Sequence, residues 1–524
     1  MLTRSFMQPS ERRDVLAYSP MFHSRLFADT PKYRDNHFQA LKRTLPKPEP
    51  IDNPSIPEYK EEELNLDGHP EIDRPLFVQF CSNDPNDFLT AARHVFPFCD
   101  AVDLNLGCPQ GIAKRGNYGA FLQEDWQLIH NLISTLHEEL PIPVTAKFRV
   151  QETREKTLAY ARMILSAGAS IITVHGRRRE QKGHITGLAD WSMIRFLRDN
   201  LPEDTVIFAN GNILQHGDIE NCLRETGADG VMSAEGNLYD PSIFATPPPV
   251  GQEGREYWRG RDGKGGYRMD AVMRRYMDII HTHVLHTQAP DRRPLFISSD
   301  PEEIDSQADE ANSAEAATNG KRKQENDGEQ PNKKQRHSKK DKVSDPNLTA
   351  MQPHLFHLLR PLVAKHHNVR DALARSRAGD ISSYENVLSM VEKVVKEGIL
   401  EYERNPAAFE EDASQGQPTG QKGNVDADAE DDPHESSLKT VARCKRPWFL
   451  CQPYVRPLPK EAMEKGSIRL SKKDMRKLEL EAKQAKVAED TLATQAGLDP
   501  NGKIEKQKID GEEVEVPREG MVCG

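Results

Sequence analysis

The sequence predicts an α/β protein: a TIM-type (β/α)8 barrel lacking one strand, then a helical C-terminal domain and long polar segments. Three observations predict it. Between residues 15 and 233, short apolar runs alternate with amphipathic helix patterns, the mark of βαβ units and a parallel sheet. Seven such runs occur, one fewer than a closed barrel of eight. Six of them end in polar residues, at the end where a barrel carries its active groups. A doubly wound sheet is the competing topology. No G-x-G-x-x-G follows the first strands, which disfavours a Rossmann dinucleotide fold.

The elements follow in order. Val15–Ser19 is the first strand signal. Residues 41–72, with Pro46, Pro48, Pro50, Pro54 and Pro57, read as an inserted surface loop. The other strand candidates are Leu76–Phe80, Ala101–Asn105, Val144–Phe148, Ser170–His175, Thr205–Asn210 and Gly230–Ser233. Most look like continuous apolar runs, as strands buried on both faces should. Helix patterns at Pro85–Phe96, Asp125–Leu140, Arg154–Ala167, Asp190–Asn200 and His216–Thr226 separate them. The barrel therefore occupies 1–246, and 247–290 starts a helical region.

Residues 291–347 hold almost no large apolar side chain after Ile297. They cannot bury enough surface to offset chain entropy, so disorder is expected. Basic clusters at Lys321–Lys323 and Lys333–Lys340 fit a bipartite nuclear-import signal or a solvated linker equally. Cytoplasmic and nuclear locations both stay open. Order returns at 348–403, where Pro361 should end or kink one helix and Val387, Leu388, Val391, Val394, Val395 and Ile399 line another. Residues 404–440 are acidic and disordered in expectation. The tail 441–524 is polar, apart from an aromatic island at 447–457.

Composition limits the function classes. The chain has 524 residues and 36% apolar content, against a typical ~45–50%, so a normal core is diluted by polar segments. A net charge of -11 argues against a uniformly basic nucleic-acid coat but permits a local basic patch. No run of ~18 apolar residues suggests a membrane span, and Met1–Asp14 lacks the apolar core of a secretory signal. Seven scattered cysteines read as reduced thiols in a cell. Cys444 and Cys451 lack zinc-site spacing, and no metal is expected.

The strand ends carry the chemistry. They present Gln79, Asn105, Lys147 with Arg149, His175 to Arg177, Asn210 to Asn212, and Ala234 to Asn237. A Lys or Asn inside an apolar strand is costly unless it meets a ligand or partner. The loop after the third strand candidate, Asn105-Leu106-Gly107-Cys108-Pro109, places a thiol at the barrel mouth. A thiol of ordinary pKa, near ~8.5, is mostly protonated at pH 7 and can act as a general acid. Gly119-Ala120 permits close approach of a large ligand. Bland readings stand beside these: Asn210 and Asn212 as turn formers, Glu235 serving only through its backbone, and Arg177–Arg179 as a solvated loop.

The segment from Val102 through Ala120 resembles the signature of the tRNA-dihydrouridine synthases. The order of Val78-Gln79, Lys147-Phe148-Arg149, Val174–Arg177, Ala209–Asn212 and Ser233–Gly236 is similar too. Tyr18–Phe27 and Asp73–Leu76 resemble the 16/17-type enzymes of eukaryotes more specifically. The resemblance implies FMN-dependent, NADPH-driven (or NADH-driven) reduction of uridine to 5,6-dihydrouridine in the tRNA D-loop, at positions 16/17. It implies that Cys108 protonates uracil C5 while hydride reaches C6. Lys147 would offset charge on the reduced flavin ring, and Gln79 would hydrogen-bond that ring. His175, Asn210, Gly211, Asn212, Ala234, Glu235 and Gly236 would hold the ribityl chain and phosphate. Asn105 and Arg149 would face the uracil edge. Lys114 and Arg177 are expected at the RNA, with Arg115, Arg178, Arg179, Lys182, Arg274 and Arg275 as further candidates. The helical region 350–403 would help grip tRNA, and no obligatory protein partner is implied. Val15–Ser19 would match the family's second strand, leaving the first absent and a seam open. Two rivals remain: another flavin barrel of the dihydroorotate dehydrogenase type, or a catalytically impaired tRNA-binding or chaperone form.

Overall fold

In the computed structural model, the residues described are 1–47, 59–183, 186–300, 345–407, 409, 437–458, 508–509 and 512–513. Eight short strands make one sheet: β1 (Ala17–Tyr18), β2 (Phe22–His23), β3 (Leu76–Cys81), β4 (Ala101–Leu106), β5 (Val144–Arg149), β6 (Ile171–His175), β7 (Val206–Asn210) and β8 (Gly230–Met232). All pairs are parallel, and the order is β1-β3-β4-β5-β6-β7-β8, with β2 also on β3. β1 and β2 are thus one stave, interrupted at Pro20, which has no N–H for the ladder.

Each stave lies beside its predecessor, and the order never reverses. That rules out the doubly wound alternative, whose strand order reverses at a switch point. The sheet curls instead: the Tyr18 hydroxyl of β1 lies 3.3 Å from the Thr173 hydroxyl of β6, across the lumen. Among the described residues no strand joins β8 to β1, so the curl is a seven-stave barrel with an open seam. At the foot of the seam buried Arg4 donates to the carbonyls of Val15, Asp73 and Pro75 at 2.6–3.2 Å.

The strands are not the continuous apolar runs the sequence suggested. Side chains alternate across a strand. One face carries Val78, Phe80, Val102, Leu104, Leu106, Val144, Ala146, Phe148, Ile172, Val174, Ile207 and Ala209, all sealed under the helices. The other carries Gln79, Asp103, Asn105, Thr145, Lys147, Thr173, His175 and Asn210. The lumen is therefore polar, which a barrel filled only by packing would not be.

Helices begin where acceptor side chains cap them. Asp84 accepts from Asn86 and Asp87, and Asp125, Thr153 and Asp190 each cap the helix that follows. Residues flanking the proline-rich stretch pack onto the barrel, with Leu41 and Leu45 in its core and Leu41 bridged to Leu64. A hairpin, Tyr257–Arg259 and Gly265–Tyr267, precedes helices Met269–Ile279, Pro346–Leu358, Arg360–Lys365, His367–Arg375 and Ile381–Arg404. Pro361 sits in the first turn of its helix, where a missing N–H costs nothing. These helices share a second core with Phe449 and Leu450 of the aromatic island.

The segment after helix Ser437–Cys444 runs back as a strap. The Phe449 carbonyl accepts from Met269 N–H at 3.0 Å. Arg443 pairs with Asp218, Arg446 with Asp240 and Arg456 with Glu235. Contacts divide the chain into Met1–Pro459 and Lys460–Gly524; in the second the described residues form a two-strand pair, Lys508–Ile509 with Glu512–Glu513. Both basic clusters and residues 410–436 lie outside the described residues. Among the described residues no helix is long and apolar enough to cross a membrane.

Candidate active site at the strand ends

The parallel register brings the strand-end residues level. Gln79 lies opposite Asp103, Asn105 opposite Lys147, Arg149 opposite His175, and His175 opposite Asn210. One arc of the barrel mouth thus collects Gln79, Asn105, Lys147, Arg149, His175 and Asn210.

A directional relay positions the Cys108 loop. Asp103 is fully buried, and its carboxylate accepts from Thr145 at 2.7 Å and from the Gln79 amide nitrogen at 2.8 Å. A carboxylate has only acceptors, so Gln79 must turn its nitrogen inward and its oxygen outward. That oxygen accepts from Asn105 Nδ2 at 2.8 Å. Asn105 Oδ1 is then left to accept from the N–H groups of Gly107 and Cys108, at 3.1 and 2.9 Å. The polarity of three side chains, Thr145, Gln79 and Asn105, is set by one acid. Burial pushes Asp103 up to about 6, against which its hydrogen bonds and Lys147 act.

Three cations tie the same loop from above. Arg149 Nε donates to the Gly107 carbonyl at 2.8 Å, Lys182 Nζ to Pro109 at 2.7 Å, and Arg179 to Ala120 at 3.3 Å. The Ala120 N–H in turn donates to the Cys108 carbonyl at 3.1 Å. Gly119 is left-handed (φ +64°), and a Cβ there would lie 2.9 Å from the Cys108 carbonyl oxygen. Only glycine fits that contact without strain. Cys108 itself is part-exposed and packs against the small cluster of Cys81, Ala113 and Tyr118.

Lys147 has no hydrogen-bond or ion-pair partner among the described residues. Burial, then the nearby Arg149, pushes it down to about 8. Beside it, burial and the charges of Lys147, Arg149 and Arg177 hold His175 well below the usual imidazole range. Arg177 Nη1 lies 3.1 Å from His175 Nε2. A guanidinium only donates, so Nε2 accepts and the neutral ring carries its proton on Nδ1. An unpartnered, partly desolvated cation and a neutral imidazole at the mouth suit an electron-rich, hydrogen-bonding ring, and the donor set fits a flavin.

The later strands carry a pinned rim. Asn210 Nδ2 donates to the Met232 carbonyl at 2.8 Å. Gly211 has φ +113°, and a Cβ would come 2.6 Å from Ala189 Cβ. Asn212, also left-handed, holds Ala189 by both amide atoms at 3.1 Å and accepts from Arg177 at 2.8 Å. Ser233 donates to the Ile213 carbonyl at 2.9 Å, and Gly236 admits no Cβ, which would fall 2.5 Å from that oxygen. Beside Ala234, Glu235 pairs with Arg456.

The RNA-facing candidates separate. Lys114 and Arg115 are exposed on helix Gly111–Gly116, next to Ile112. Arg177 is bound into the rim, donating also to the Gly187 carbonyl at 3.0 Å. Arg274 and Arg275 are engaged by Glu392 and Glu256.

Comparison with known proteins now bears on this geometry. The family model described as dihydrouridine synthase matches residues 10–257. A tRNA-dihydrouridine(16/17) synthase [NAD(P)(+)] of Schizosaccharomyces pombe is 39% identical over 84% of this chain and 82% of its own length. The chain belongs to the dihydrouridine synthase family. The Saccharomyces cerevisiae protein of the same name is 38% identical over 85% of this chain and 78% of its own. A mouse relative, tRNA-dihydrouridine(16/17) synthase [NAD(P)(+)]-like, is 45% identical over 46% of this chain and 45% of its own. Among solved structures, a DHODH from Eimeria tenella matches 33% of this chain and 56% of its own at 16% identity with TM-score 0.27, too slight a likeness to carry an argument.

Sequence reading missed Asp103, Thr145 and Arg456. Asp103 had a signal: it is an acid two residues before Asn105, so it shares that residue's strand face. Arg456 had none, because the strap's path depends on tertiary packing.

Proposed function

We propose that this dihydrouridine synthase family member reduces uridine to 5,6-dihydrouridine in tRNA, with FMN as cofactor and NADPH or NADH as reductant. The observation that carries the reading is the shared mouth: the Cys108 thiol stands on a loop built by Asn105, whose neighbour across the ladder is the unpartnered Lys147. The target uridines of this reading are those of the D-loop; the numbers 16/17 are the ones that the names of the yeast relatives carry for those proteins.

When bound, reduced flavin supplies the hydride that C6 of the ring receives. This chain's residues do the rest. Lys147 faces the cofactor ring, Gln79 completes its hydrogen bonding, and His175, the 210–212 loop and the backbone of Ala234, Glu235 and Gly236 receive its chain and phosphate. Cys108 delivers its thiol proton to C5. Asn105 and Arg149 orient the pyrimidine edge, and both hold the acid's loop in place. A stacked base is unreachable, so the uridine must be extruded into the mouth. Lys114, Arg115 and Ile112 stand exposed beside the Cys108 loop to meet the RNA. Phosphate contacts by such side chains give salt-dependent binding.

The test is direct. Full-length protein, FMN and NADPH are incubated with unmodified tRNA, and nucleosides are analysed by mass. A gain of two hydrogen atoms on D-loop uridines supports the reading. A chain that binds tRNA yet takes up no flavin would favour the impaired-binder alternative.

A further inference from the structure

We propose that Arg456, brought to the barrel mouth by the C-terminal strap, is a phosphate-binding residue of this site. The inference rests on the functional reading above and extends it to a residue 199 positions beyond the end of the matched family region, 257.

The three ion pairs of the strap are not alike. Arg443 and Arg446 pair with Asp218 and Asp240, whose side chains are 1% and 5% exposed. Those pairs anchor. Arg456 and Glu235 are 47% and 44% exposed. An exposed pair contributes ~0–1 kcal/mol and orders two long side chains to do so. Anchoring therefore does not account for Arg456. Its place is nonetheless well defined: Nε and Nη2 both reach Glu235 Oε1, at 3.2 and 2.5 Å. Two residues earlier, the Tyr454 ring lies under the Arg360 guanidinium at 3.6 Å.

Contacts run unbroken along the rim to this side chain. Arg177 bonds Asn212; the adjacent Ile213 carbonyl accepts from Ser233; Glu235, two residues on, holds Arg456. Arg177 and Arg456 thus flank one loop and turn, with Arg360 behind and Glu235 as the carboxylate among them. Arg177 senses both partners of that pair: burial first and then Arg149 hold it down to about 10, Glu235 opposes them, and Arg456 adds a smaller push downward. Two forked guanidiniums suit a phosphate, which offers several acceptor oxygens and up to two charges. That phosphate is either the cofactor's terminal monoester or a phosphodiester of the RNA.

The experiment compares wild type, R456A, R456K and E235Q as full-length chains. Flavin fluorescence is titrated with FMN and with riboflavin, which lacks the phosphate, and tRNA binding is followed across a salt series. If the phosphate is the cofactor's, R456A weakens FMN roughly three- to tenfold and leaves riboflavin unchanged. If it is the RNA's, R456A weakens tRNA by a similar factor and lowers the salt slope by about one, with FMN unchanged. In either case R456K falls between, and E235Q binds as well as wild type or better, because it releases Arg456. Equal binding of all three ligands by R456A and wild type overturns the inference. So do equal losses in R456A and E235Q, which would make the pair a latch. Wild type that binds neither FMN nor tRNA overturns the functional reading, and the inference with it.

Discussion

Replacing Lys147 with Met separates what the barrel mouth does from what it costs. The amine is half-buried, has no partner among the described residues and is pushed down to about 8, from 10.5 when free. At 1.36 kcal/mol per pH unit, the charged form costs at most about 3 kcal/mol in the folded chain. The sign follows from linkage. A lysine whose folded pKa is depressed penalises folding fully below that pKa, and the penalty fades as pH rises toward the unfolded value. Flavin-free K147M should therefore resist urea better than wild type at pH 7, by about 1–3 kcal/mol. The gap should close between about pH 8 and 10.5. The same variant should bind flavin more weakly, because the cation proposed to face the ring is gone. Urea melts across this pH range, with flavin titrations on the same samples, check both. A K147M chain that is less stable at pH 7, or a gap indifferent to pH, would refute the reasoning.

Other substitutions test the neighbours. Asn105→Ala removes three hydrogen bonds that shape the acid's loop. It should cost about 2–4 kcal/mol in urea melts, and about 100-fold in kcat/KM through misplacement of the thiol. Gly119→Ala places a Cβ 2.9 Å from the Cys108 carbonyl oxygen at φ +64°. It should lose about 1–3 kcal/mol from strain, seen as a lower melting midpoint, with kcat falling more than tRNA affinity. Asp103→Asn replaces an acceptor by a group that also donates, so the Gln79–Asn105 relay loses its direction. Asp103 is raised to about 6 from 3.8, so above that pH the folded chain carries it ionised at a cost in stability. Wild type should gain stability relative to D103N as pH falls from about 6 toward 4. Its kcat/KM should show an acid limb near pH 6 that D103N lacks.

Much of the scaffold was legible in the sequence because local signals and the fold agree. The strand from Ala101 and the helix from Arg154 fall within a residue of their expected bounds, since apolar periodicity and capping residues mark both. The lumen was harder. Gln79, Lys147 and His175 stand out as polar residues in strands, but their partners come from neighbouring staves, and only the register reveals that Asn105 meets Gln79. The same limit hid the use of Arg177, which reads as a loop cation and lies in the rim against His175 and Asn212. The proline-rich insertion shows composition outweighing packing in a sequence reading: Leu41 and Leu45 reach the core. The strap has no local signature at all, because Arg446 and Arg456 gain meaning only from Asp240 and Glu235, more than 200 residues earlier.

The most direct measurement is uridine reduction by Cys108→Ala, with flavin reduction by NADPH and tRNA binding followed on the same preparation. Loss of a general acid should slow dihydrouridine formation about 10²–10⁴-fold, while both other activities stay at wild-type level. Dihydrouridine formed by C108A at the wild-type rate would contradict the account.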